Sequence, residues 1–203
     1  MLKTFRESLC AGILITIGGT VFLSCENKTA GAVFFSVALL CICYKGYYLF
    51  TGKIGYIVEQ HKKQDFLNLA VGLFGNLIAT FLLGMLLRTV LPNIGERAAE
   101  MCSAKLAQFS LYSFIRGFFC GILMYLAVSI YKEKNSVLGV LFCVPVFILC
   151  GFEHSIADMF YFGTSGIFDT KIIFFMALIV AGNTLGAMVL PLLKGVHTNE
   201  KQG

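Results

Sequence analysis

The run Gly151-Phe152-Glu153-His154-Ser155-Ile156-Ala157-Asp158-Met159-Phe160 places a glutamate, a histidine and an aspartate within six residues, deep in an otherwise apolar segment. An ionisable side chain at the centre of a bilayer costs about 3 kcal/mol or more, so such groups persist there mainly where they face a bundle interior, a partner or a water-filled path. The polar break is therefore read as a functional site. A histidine changes charge near neutral pH, so it can attract an anion and supply a proton. A second chemistry is metal binding: if the backbone is helical there, the HxxxD spacing puts His154 and Asp158 on one face. That set has only two ligands, and no other intramembrane histidine is available to complete it.

The elements that must position this stretch span a membrane. The chain has 203 residues, 58% of them hydrophobic and 13% charged, with a mean hydropathy of +0.82. That is more apolar surface than a soluble domain of this size could bury in one core. No polar segment is long enough for a soluble domain, and 1–203 reads as a single transmembrane unit with halves near 1–98 and 99–203. The net charge of +5 does not indicate nucleic acid, because no basic run exceeds two residues and aromatics sit inside apolar blocks. Most of the eight cysteines lie in apolar segments, without paired CxxC motifs, and read as reduced packing residues. Lys3 and Arg6 followed by the apolar run from Leu9 to Leu23 resemble a signal peptide, but no small-x-small cleavage site follows. The run reads as the first transmembrane helix.

A bilayer core takes about 20 helical residues, and on that ruler six segments appear, near 7–24, 31–60, 66–91, 106–131, 136–162 and 171–193. Segments two and five are interrupted. Segment two meets Phe50-Thr51-Gly52-Lys53-Ile54-Gly55, where glycine supplies unusual backbone angles and threonine can satisfy freed backbone groups. Segment five carries the decapeptide in the corresponding place. Segments one and four share a Gly-Ile-Leu at Gly12 and Gly121, and segments three and six share Gly75-Asn76 and Gly182-Asn183. The offsets Gly12 to Gly121, Thr51 to His154 and Asn76 to Asn183 are 109, 103 and 107. Three crossings per half make such a repeat inverted, and inverted repeats place the substrate site near the midplane where two broken helices meet. Nine lysines and arginines fall on one side (Lys3, Arg6, Lys53, Lys62, Lys63, Lys132, Lys134, Lys194 and Lys201) and five on the other (Lys28, Arg88, Arg97, Lys105 and Lys171). The expectation is that both termini are cytoplasmic.

With these residues assembled, the chain resembles the formate/nitrite transporter family. Leu49-Phe50-Thr51-Gly52 is similar to the family's LFTG, and the two Gly-Asn pairs to its GN motifs. Arg116-Gly117 with Cys120 and Leu123 is similar to RGxxCNxLV, and Gly151 to Ala157 reproduces GFEHSIA. The resemblance implies an all-α membrane protein of six transmembrane helices in an inverted 3+3 repeat, aquaporin-like, with helices two and five interrupted. It implies a homopentamer with one pore per protomer, in a bacterial-type inner membrane. His154 would be the central pore histidine, facing Thr51. Phe35, Leu39, Phe50 and Phe147 would form apolar constrictions, and Lys105, at the start of segment four, would gather anions in a vestibule. Two positions depart from the family: Gly121 replaces an asparagine, removing a hydrogen-bond donor near the histidine, and Asp158 replaces another, adding a negative charge.

The expected function is a channel or transporter for a small monovalent weak-acid anion of the formate, nitrite or hydrosulfide class, with no cofactor and no enzymatic reaction. Such an anion loses hydration in an apolar constriction at a cost that protonation removes. Thr51 could donate a hydrogen bond to the anion or orient the imidazole. Glu153 is expected to satisfy backbone donors freed at the break. His61 and His197 lie in polar flanks and read as solvated. The alternatives are an aquaporin-type pore for neutral solutes, disfavoured because neither GN motif continues to Pro-Ala, and the metal-dependent intramembrane enzyme.

Overall fold

Long apolar runs without interior polar breaks become long helices, and the glycine-marked breaks end them. The computed structural model describes residues 1–59, 61–108 and 111–195, so His197 and Lys201 lie outside the described residues. Its helices are α1 (Leu2–Ser24), α2 (Lys28–Lys45), α3 (Phe50–Lys53), which continues as a 3₁₀ turn (Ile54–Val58), α4 (Lys63–Val90), α5 (Pro92–Ala107), α6 (Leu111–Lys134), α7 (Leu138–Leu149), α8 (Ser155–Ser165) and α9 (Lys171–Lys194). Among the described residues, α1, α2, α4, α6 and α9 are each long and apolar enough to cross a membrane, whereas α7 is apolar but only 12 residues long.

The expected segments two and five match α2 with α3, and α7 with α8, each pair separated by a few non-helical residues. The fourth differs. It was expected over 106–131, but α6 begins at Leu111, and the residues before it end a helix that apolar runs do not reveal. That helix, α5, is amphipathic: Pro92 occupies its first turn, where a missing N–H costs nothing. Ile94, Ala98 and Cys102 are buried on one face, while Glu96, Arg97 and Glu100 are exposed.

Small residues let the helices approach closely. A Cβ added to Gly121 of α6 would run into the Asn183 carbonyl of α9, and one added to Gly186 of α9 would run into the Phe118 carbonyl of α6. Gly117 and Gly182 complete this contact, which is a pair of facing GxxxG motifs. Helices α1 and α4 meet in the same manner, with Gly12 against Ala79 and Gly75 against Ser8. Aromatic and aliphatic side chains such as Phe34, Phe74, Leu82, Phe142 and Phe174 remain exposed on the outer faces, as suits a protein surrounded by apolar material.

Candidate pore site between two helix breaks

Each break is built from the same local parts. Helix α2 ends at Gly46, whose φ of +69° is a left-handed conformation natural to glycine, and α7 ends at Gly151 with the same φ. The next amide closes the turn five residues back: Tyr47 N donates to Ile42 O at 3.1 Å, and Phe152 N donates to Phe147 O at 2.9 Å. An asparagine then clamps the extended residues. Asn76 of α4 donates to Tyr48 O at 2.9 Å and Ser8 O at 2.8 Å, and its Oδ1 accepts from Phe50 N at 2.8 Å. Asn183 of α9 does the same, donating to Glu153 O and Gly117 O, each at 2.8 Å, and accepting from Ser155 N at 2.9 Å.

These bonds pair Leu49 with His154, each the N-cap residue of its short helix. The expected correspondence of Thr51 with His154 is therefore corrected by two residues, because hydrogen bonding and not residue type fixes which positions are equivalent. Thr51 nonetheless meets His154 directly, with Oγ1 2.9 Å from Nε2. Both are buried, at 1% and 2% exposure. His154 Nδ1 accepts the backbone N–H of Ala157 at 3.1 Å, capping α8. With Nδ1 occupied as an acceptor, the neutral ring carries its proton on Nε2 and donates it to Thr51, which leaves the threonine hydroxyl hydrogen free to donate elsewhere. His154 is the N-cap residue of α8, and both of its ring nitrogens are engaged, Nδ1 by the Ala157 N–H and Nε2 by Thr51 Oγ1.

Apolar side chains flank this pair. Phe147 stacks on the His154 ring at 5.6 Å and meets Phe35 edge-on at 6.2 Å. Phe35, Leu39, Phe50 and Phe147 are all buried inside the bundle and do not point outward. A cavity of about 250 Å³ opens on one side, lined by Lys28, Lys105, Arg116, Phe147, Glu153 and His154 among others. On the other side a cavity of about 60 Å³ is lined by Leu39, Leu49, Gly52, Lys53 and Lys132. The larger cavity reaches His154 and the smaller one reaches Gly52, next to Thr51, and the two are lined by opposite ends of α2 and α6.

Lys105 is not at the start of a spanning helix; it sits in the last turn of α5. Its ammonium bonds the Glu153 carboxylate and lies 3.1 Å from Asp158 Oδ1. Burial pulls the Lys105 pKa down, while Asp158 and Glu153 push it up by more, so the ammonium stays charged. Glu153 also differs from expectation, since its carboxylate pairs with Lys105 and the freed backbone donors go to Asn183 and His154 Nδ1. Gly121 faces the α9 backbone and not the histidine, so its missing side chain serves helix packing. Arg116 and Lys28 in the larger cavity, and Lys132, held 3.7 Å over the Tyr56 ring in the region of the smaller one, carry no site role in the sequence reading, where Arg116 stands only in a motif and the lysines only in the charge count. An unpaired basic residue in or beside an apolar segment was the available signal for Arg116.

Comparison with known proteins agrees with this architecture. A formate/nitrite transporter profile matches residues 1–194. An uncharacterized transporter of Bacillus subtilis (strain 168), YwcJ, is 30% identical over 81% of this chain and 72% of its own. The formate channel FocA of Escherichia coli (strain K12) is 25% identical over 78% of this chain and 65% of its own, so the chain spans less than two thirds of that relative. The solved pentameric formate channel with formate bound superposes with a TM-score of 0.80 over 95% of each chain at 24% identity. A solved ion channel of the FNT family gives 0.79 over 95% of this chain and 87% of that one, at 21% identity. At these identities the two structures establish the fold. The all-helical chain, with its several apolar helices, is an integral multi-pass membrane protein and belongs to the formate/nitrite transporter family.

Proposed function

We propose that this chain is a channel or transporter for a small monovalent weak-acid anion of the formate, nitrite or hydrosulfide class, and not an enzyme. The observation that carries the proposal is the buried Thr51–His154 contact at 2.9 Å, set between two cavities and flanked by Phe35, Leu39, Phe50 and Phe147. An anion crossing the phenylalanine and leucine collar sheds water, and taking a proton there removes most of the cost. His154 gains a charge only by releasing the Ala157 amide from Nδ1, so proton uptake and loosening of the α8 cap go together. An anion arriving at the same moment supplies the countercharge. Thr51 offers its free hydroxyl hydrogen to that anion, and Lys28 and Arg116 draw anions into the larger cavity, where the charge of Lys105 is already taken up by Glu153 and Asp158.

In this reading α2 with α3, and α7 with α8, are two interrupted spans of a six-span domain. Its halves, near 1–98 and 99–203, form an inverted repeat, supported by the matching asparagine clamps of Asn76 and Asn183. The assembly is a homopentamer in a cytoplasmic membrane with both termini inside. The resemblance, the structural neighbour and the lysine and arginine count support these points.

The test is stopped-flow uptake of formate, nitrite, hydrosulfide and acetate into proteoliposomes holding an internal pH dye. Wild type is expected to admit at least one of them with pH-dependent flux, and His154→Ala to abolish the flux or its pH dependence. Movement of water or a neutral solute with no anion flux would replace this function by that of a neutral-solute pore.

A further inference from the structure

We propose that the carboxyl pair Glu153–Asp158 binds one exchangeable proton, and that this proton sets the charge of the larger cavity and hence its acceptance of anions. The second half of the proposal rests on the anion-pathway reading; the first half does not. One ammonium, that of Lys105, serves two carboxylates: it bonds Glu153 and lies 3.1 Å from Asp158 Oδ1. Among the described residues no other lysine or arginine lies within ion-pair distance of either carboxylate. Glu153 is 3% exposed and Asp158 1%, and Asp158 Oδ2 is buried without a hydrogen-bond partner.

Two ionised carboxylates on one cation would leave an uncompensated negative charge away from bulk water. A proton on either carboxyl group restores neutrality, and it belongs to the pair and not to one member. The orphan Oδ2 is the open position for it. Surrounding titratable groups do not relieve the imbalance. Cys102 of α5, Cys120 of α6 and Tyr161 of α8 lie nearby and are neutral when protonated, His154 has both nitrogens engaged, and Arg116 is bonded to Gln108 Oε1 at 3.0 Å. Lys28 lines the cavity as an exposed residue of α2.

The proton comes from, and returns to, water in the cavity. With it bound, Lys105, Glu153 and Asp158 sum to zero and an anion can approach His154. Once it is lost, as pH rises, the cluster carries one net negative charge at the passage and repels anions. An amide at position 158 would keep the cluster neutral for as long as Lys105 and Glu153 stay ionised as a pair, so the aspartate is what adds the exchangeable proton.

Infrared difference spectra between acidic and alkaline pH test the proton site on the purified protein without any substrate. Wild type is expected to show a carboxylic-acid C=O stretch that disappears as pH rises, and Asp158→Asn to lack it. Proteoliposomes test the consequence: the ratio of anion uptake at acidic to alkaline pH on the larger cavity's side should be at least tenfold greater in wild type than in Asp158→Asn. Absence of the band, or its persistence in Asp158→Asn, overturns the proton site. A band with equal uptake ratios overturns its control of anions. If wild type carries no anion at all, the proposed function fails while the infrared result still decides the proton site. Should Asp158→Asn not fold, Glu153→Gln carries the same expectations.

Discussion

The two helix breaks share one backbone and differ in chemistry. Both end a helix at a left-handed glycine, both are clamped by an asparagine from another helix, and both restart a short helix at an extended residue. In the first break the residues at the clamp are Tyr48, Leu49 and Phe50; in the second they are Glu153, His154 and Ser155. The comparison shows that a gap between two helices does not itself require polar side chains on the gap residues, because asparagines elsewhere satisfy its backbone groups. The charges of the second break are therefore free for other work. The first break contributes Thr51, two residues beyond its cap, as the partner of the histidine.

Removing a clamp has the largest expected effect. Asn76→Ala and Asn183→Ala each break three hydrogen bonds, all buried except the part-buried one to Tyr48 O, and strand their partners, a loss on the order of 3–6 kcal/mol. Thermal unfolding in detergent should show similar losses for both; a large loss for only one would mean that the breaks are not mechanically equivalent.

The contrast in charge is sharpened by Lys105→Met, which leaves Glu153 and Asp158 buried without a cation and should cost about 3–5 kcal/mol. Adding Glu153→Gln and Asp158→Asn should recover much of the stability, as read by the same unfolding curves. No recovery would place the role of Lys105 outside the ion cluster.

Smallest is Thr51→Val, which deprives His154 Nε2 of its partner at the cost of one hydrogen bond, ~1 kcal/mol. Uptake should drop about fivefold, the rate equivalent of that energy. Unaltered uptake and melting would remove Thr51 from the pathway.

The sequence made the breaks legible because their signals are local: paired glycines, a threonine and a lysine in one apolar run, and Glu-His-Ser-Ile-Ala-Asp in another. It also showed the two Gly-Asn pairs, though not that each asparagine reaches a break 26 or 28 residues away in the chain. Helix α5 escaped notice because its apolar residues recur at helical spacing without forming a continuous run. Proline at its start and the spacing of Ile94, Ala98 and Cys102 were the clues available.

What the sequence by itself determined, then, was the membrane class, the family and the place of each break, all carried by hydropathy, backbone preference and short motifs. Tertiary structure alone decided which groups meet. Lys105 joins Glu153 and Asp158 because α5 packs against α8, Gly121 accommodates the α9 backbone because α6 and α9 cross closely, and Leu49 proves equivalent to His154 through the asparagine clamps. The physical reason is that hydropathy and backbone preference are properties of neighbouring residues, whereas ion pairs and helix contacts depend on how distant segments are brought into register.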